Sequence, residues 1–234
     1  MSTVKLIYKV ALPDSRELAF TLELDHDTAE LSPAAIAQPP AWTELGFNQC
    51  QGCPLDVAKD KYCPAALHLS SVIDGFSDLV SYDHVRVTVE SEERSVIATL
   101  SAQQALASLM GLIMASSGCP RTAVFRPMAR FHLPFSSEAE TAYRVAAMYL
   151  VAQHFKARDG ASHDISLDDL GSVYRGMHAV NRGMATRLRA ASRQDAIVNA
   201  IVLLDVYSSL VPSAIHEILD EIKPAFSALL DEQT

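Results

Sequence analysis

Apolar and polar residues alternate over residues 4–12, with β-branched and aromatic side chains among them. They alternate again over 18–24, where Leu18, Phe20, Leu22 and Leu24 share one face. A period of two is the mark of a strand that buries one side. Pro13-Asp14-Ser15 between the runs is a turn cluster, so the pair predicts a β-hairpin. A second hairpin is predicted from residues 84–89 and 95–100, joined through Glu90-Ser91-Glu92-Glu93. The two hairpins together predict a small antiparallel sheet of about four strands. From Ser101 the period changes. Ala102, Ala105, Leu106, Leu109, Met110, Ile113 and Met114 follow helical spacing, with Ser101 as N-cap and Gly118 as the stop. Further helices are predicted over 137–156 and from Ser166, where Asp169 takes the fourth position of a capping box. The second of these carries the stripe Leu167, Leu170, Tyr174, Met177, Asn181, Met184 and Leu188. Ser192 opens a very apolar helix over 194–210, which must be buried in a core or an interface. Pro212 is expected to break it and start a last helical stretch to about residue 230, interrupted at Pro224. The expected class is α+β: a β-hairpin domain over 1–100 and a mostly α-helical domain over 101–234.

Residues 31–67, between the hairpins, have no obvious regular structure. They hold Pro33, Pro39, Pro40, Pro54 and Pro64 and three of the chain's four cysteines. A connection that long needs a reason, and a metal-organised loop is one. Cys50, Cys53 and Cys63 read C-x2-C-P-x8-C-P, and Cys119 follows within Gly-Cys-Pro-Arg. A C-x2-C pair lets two thiolates reach one centre from a single turn. Cys63 can close the same side, and Cys119 is the only cysteine left to supply the fourth ligand. It would arrive from the end of the 101–117 helix and tie the two domains together. Four thiolates suit Zn2+ or an iron–sulfur cluster. Zinc ribbons usually present two C-x2-C knuckles and this chain has one, while proline after cysteine is familiar beside iron–sulfur ligands; the reading favours [4Fe–4S] over zinc. The alternative is four unrelated buried thiols, since free cysteine is commonly buried.

Charge sharpens this picture. Residues 1–93 carry fifteen acids against six bases, whereas 94–234 are balanced at thirteen each. The acidic first part argues against a nucleic-acid or anionic-membrane surface there. Residues 94–137 contain Arg94, Arg121, Arg126 and Arg130 and no acid. A four-thiolate centre with zinc or an oxidised cluster carries a net −2, and nearby cations lower the cost of burying it. Arg121, Arg126, Arg130 and His132 are therefore candidates either to surround such a centre or to form an anion pocket beside it. Equally, the arginines can cap helices or pair with the acidic first part.

Other arrangements are mostly rejected on particular residues, with Cys119 as a lone nucleophile paired with His132 left open. No βαβ pattern surrounds Cys50, as a thioredoxin-type site requires. A cysteine-phosphatase loop fails because Phe125 stands where its arginine belongs and Pro120 removes an amide. His216-Glu217 lacks the second histidine of a metalloprotease, having Asp220 there. No glycine-rich phosphate loop occurs. The opening residues are too polar for a signal peptide, and no apolar run approaches the length of a membrane span, so a cytoplasmic protein with reduced or metallated cysteines is expected.

Several stretches resemble, as a set, an uncharacterised family of bacterial proteins described only as a domain of unknown function. They are Cys50-Gln-Gly-Cys-Pro-Leu with Cys63-Pro-Ala-Ala, the run from Ser108 through Ser-Gly-Cys-Pro120, Phe125-Arg-Pro-Met-Ala-Arg-Phe-His-Leu-Pro134, and Glu140-Thr-Ala-Tyr-Arg144. The resemblance covers nearly the whole chain and implies one four-cysteine unit of bacterial, cytoplasmic origin; no activity comes with it. The functional expectation is a metal-thiolate protein in electron transfer or redox sensing, with an unidentified redox or protein partner. The alternatives are a structural zinc module held by the four cysteines, which could be homodimeric, and an enzyme with the arginine–histidine pocket.

Overall fold

The computed structural model describes residues 2–34, 36–76, 79–191 and 195–231. Strands β1 (Thr3–Ala11) and β2 (Glu17–Asp25) form the first hairpin; β3 (His84–Glu90) and β4 (Ser95–Ser101) form the second. β1 pairs antiparallel with β3, giving one sheet in the order β2-β1-β3-β4. The alternation dictates which face is covered. Leu6, Tyr8, Val10, Val85, Val87 and Val89 are buried, while Lys9 and Glu90 pair at 2.7 Å on the partly solvated side.

Helix α2 (Ala102–Ser116) lies against the buried face, and its start and stop agree with the sequence reading. The Gln104 side chain accepts from the Ser101 N–H at 3.1 Å, and Gly118 adopts a φ of +83° just past the end. α3 (Arg126–Arg130) and α4 (Glu138–Arg158) follow, the latter opened by a Ser137/Glu140 capping box. α5 (Leu170–Ala191) and α6 (Asp195–Ile222) pack along each other and, through α6, against α2. A short 3₁₀ turn, Lys223–Phe226, and α7 (Ser227–Leu230) end the chain, with Pro224 at the interruption expected. The buried cluster is continuous from Leu6 to Ile218 and includes both sides of the residue 100/101 boundary.

Three local readings change. The segment 31–67 is not wholly irregular: Pro64, whose fixed φ suits a first helical residue, opens helix α1 (Pro64–Ile73) with Cys63 as its N-cap. Leu31 also bridges to Leu24. α5 begins at Leu170 rather than Ser166, because Leu167 has a φ of +68°. The organising group there is Asp164, whose carboxylate accepts from the Ser166 N–H and hydroxyl, the Asp169 N–H and the Tyr149 hydroxyl. Pro212 does not end α6; the helix continues to Ile222, although Asp195–Leu210 and Ser213–Leu230 are bent by 76°. The expected helix start at Ser192 lies outside the described residues. α6 buries Ala196, Ile197, Ala200 and Ile201 and leaves Val202, Val206 and Leu210 at 40–45% exposure. No single helix among the described residues is long and apolar enough to cross a membrane.

Candidate functional site

Three loops and one helix face converge around the cysteines. The first loop is the 50–53 turn, where the Cys53 N–H donates to the Cys50 carbonyl at 3.0 Å and Gly52 sits at φ +65°. Only glycine adopts that conformation without strain, and a Cβ there would run into the Arg121 guanidinium. Arg121 donates to the Gly52 carbonyl, which ties the loop after Cys119 to the turn bearing Cys50 and Cys53. The second is the pairing of residues 43–45 with 61–63. Leu45 N–H reaches Lys61 O at 2.9 Å, Cys63 N–H reaches Thr43 O at 2.8 Å, and Glu44 bridges Tyr62. The third follows α2: Gly118 turns the chain, Cys119 N–H donates to the Ser117 hydroxyl at 3.3 Å, and Thr122 caps the Met114 carbonyl.

The helix face belongs to α5. Val180, Gly183 and Arg187 lie at i, i+3 and i+7, on one side of the helix. The Cys50 thiol is 4.0 Å from the Val180 carbonyl. A Cβ on Gly183 would stand 2.6 Å from the Cys50 sulfur and 3.3 Å from its Cα. Arg187 is the largest fully buried side chain described, at 1% exposure. Its guanidinium donates to the carbonyls of Trp42 (2.6 Å), Glu44 (2.7 Å) and Leu45 (2.8 Å) and so clamps the loop next to Cys63. Its Nε has no partner, and no carboxylate pairs with it among the described residues.

All four cysteines are free; Cys63 and Cys119 are buried, and Cys50 and Cys53 are half-buried. Burial pushes the Cys50 thiol up to about 11, and Cys63, Cys53 and Cys119 each add to that, while Arg187 opposes it. Burial also raises Cys63, against the pull of the Ala66 amide and Arg187. The four thiols are thus electrostatic neighbours, and Arg187 is the cation among them. No group of three or more His, Cys, Asp or Glu side chains among the described residues is arranged to hold a metal ion.

The arginine and histidine candidates do not gather in one pocket: Arg130 and His132 line a small cleft together, and Arg121 and Arg126 lie outside it. Arg121 faces the cysteine turn. Arg126 pairs with Glu30, the acidic first part supplying its partner. Arg130 donates to the His26 carbonyl at 3.3 Å and lies over Phe131. His132 turns inward to the hydroxyl of the fully buried Tyr8, which also meets Ser108 at 3.1 Å. Burial pushes His132 down to about 3, so the ring is neutral at physiological pH. Of these four, only His132 lines the large, partly open cavity between α2 and α6. Arg187 and Gly183 escaped the sequence reading because they lie more than sixty residues beyond Cys119. Neither is a member of the α5 stripe: each stands one place before one, Gly183 before Met184 and Arg187 before Leu188.

The glycines of α5 provide a paired test. Gly176 has open space where a Cβ would go. Gly176→Ala is expected to raise stability by about 0.5–1 kcal/mol through helix propensity alone. Gly183→Ala must displace the Cys50 thiol and press on its backbone, so the same propensity gain is expected to be lost or reversed. Urea midpoints of the two variants check this; equal gains would show that Cys50 does not pack on Gly183.

A family model described as a domain of unknown function, DUF6901, matches residues 6–227. The chain belongs to this family. The match spans the sheet, the cysteine loops and helices α1 to α6, so the site and its scaffold fall within one family unit. No curated protein and no solved structure matches the chain.

Proposed function

We propose that Cys50, Cys53, Cys63 and Cys119 hold one [4Fe–4S] cluster used in electron transfer or redox sensing. The observation that carries this reading is Arg187, a buried guanidinium without a carboxylate partner that acts on the thiols of Cys50 and Cys63. An unpaired buried charge is costly, and a centre of net −2 beside it would offset that cost. Arg121–Gly52 fastens the loop after Cys119 to the 50–53 turn, Cys63–Thr43 holds segments 43–45 and 61–63 together, and Arg187 clamps that pair to α5. The thiols act on one another electrostatically. The single C-x2-C knuckle, with proline after Cys53, Cys63 and Cys119, favours an iron–sulfur cluster over one Zn2+. Zinc held by the same four thiolates is the alternative occupant.

Ligation requires thiolates. The raised Cys50 thiol is protonated at neutral pH, so binding would release its proton. Anaerobic purification is expected to give a brown protein with about four iron and four sulfide per chain. Cys63→Ser and Cys119→Ser should lose both iron and colour. A colourless protein with one equivalent of zinc would replace the cluster by the alternative. A folded, metal-free protein with every thiol titratable would end both readings.

A further inference from the structure

We infer that the cavity between α2, α4, α5 and α6 is a binding site for an amphipathic carboxylate, with Arg144 receiving the carboxylate and the cavity walls receiving an apolar body of fatty-acid size. The cavity holds about 480 Å3, within the range of sites that enclose a small organic ligand. Its walls are mainly apolar: Leu100, Leu112, Met128, Met177, Leu203 and Leu204 all face it. One region is polar. Ser136, Thr141 and Arg144 line it together, Thr141 and Arg144 one helical turn apart near the start of α4.

Arg144 has a structural duty that uses only part of its donor set. Nη2 donates to the carbonyls of Met128 (2.9 Å) and Phe131 (3.0 Å), closing the end of α3. Nε and Nη1 have no hydrogen-bond partner among the described residues, and no carboxylate lies within ion-pair distance. Burial lowers the basicity of this guanidinium, with Glu140 opposing at longer range. A half-buried guanidinium with free donors on the wall of an apolar cavity is complementary to a carboxylate, which can accept a charge-assisted hydrogen bond from Nε or Nη1. The neutral His132 beside it adds no competing charge. Apolar walls alone would take any greasy molecule; the guanidinium selects one with an acidic head. This site is independent of the cysteine centre, although α5 runs from Tyr174 and Met177 at the cavity to Val180 at Cys50.

Titration of the full-length protein with dodecanoate, and with dodecanol as the uncharged probe of equal chain length, tests the assignment. Dodecanoate is expected to bind saturably at one site per chain and at least tenfold more tightly than dodecanol. Arg144→Gln should abolish that preference while leaving alcohol binding. Because Arg144 also holds α3, a second variant spares it. Ala107→Leu adds bulk to a buried cavity wall on α2 and should block both probes without unfolding the protein. No saturable binding of either probe, equal affinity for acid and alcohol in the unaltered protein, or unchanged binding in Ala107→Leu would each overturn the inference.

Discussion

Arg187→Met is expected to lower the free energy of unfolding by about 3–5 kcal/mol, read as a shift of the urea midpoint. The substitution leaves the carbonyls of Trp42, Glu44 and Leu45 without their donor in a buried place. Each unsatisfied acceptor costs about 1–3 kcal/mol, partly offset because a buried charge disappears. Arg187→Lys separates shape from charge. An ammonium is a point donor and cannot span three carbonyls as a planar guanidinium does, so stability should fall to an intermediate value. If the thiols hold a cluster, Lys should preserve more of its iron than Met, because the cation near Cys50 and Cys63 is retained. A midpoint unchanged by Arg187→Met would mean that the clamp contributes nothing to the fold.

Acid is expected to destabilise this protein well before its carboxylates titrate, and His132 is the main cause. Burial holds its pKa near 3 in the folded chain, against about 6.5 when unfolded. Between those values the unfolded state binds the extra proton. Stability is therefore fully present above about pH 6.5 and falls as pH drops, by up to tenfold in the folding equilibrium per pH unit. His68, also lowered by burial, adds in the same direction. His132→Gln can keep a hydrogen bond to Tyr8 but cannot titrate. Its stability should be markedly flatter between about pH 6.5 and 4.5. Identical slopes in the two proteins would place the acid sensitivity elsewhere.

The two arguments draw on residues of different legibility. His132 was visible in the sequence as a candidate, but its role was not. Next to three arginines it reads as part of an anion pocket, whereas Tyr8, more than a hundred residues earlier, determines where the ring points. Arg126 shows the same thing in reverse: its pairing with Glu30 is the ordinary use of an arginine near an acidic segment. Arg187 carried no sequence signal of its own, because an arginine one place from an apolar stripe usually reaches solvent. Only the approach of the 42–45 loop closes over it.

The sequence by itself determined the hairpins, the helical second half and the α2 caps, because these rest on periods of two and 3.6 and on local hydrogen bonds. It also spaced Cys50, Cys53 and Cys63 closely enough to suggest a ligand set with Cys119. It missed α1, whose ten residues follow a proline-rich stretch, and placed the start of α5 too early, since Asp164 gathers that turn from outside the helix. The tertiary structure decided which charges meet. It brought α5 to Cys50, buried Arg187 among the thiols and gave Arg144 a cavity to face. Such encounters depend on how helices cross and which loops cover them, and no local period encodes that.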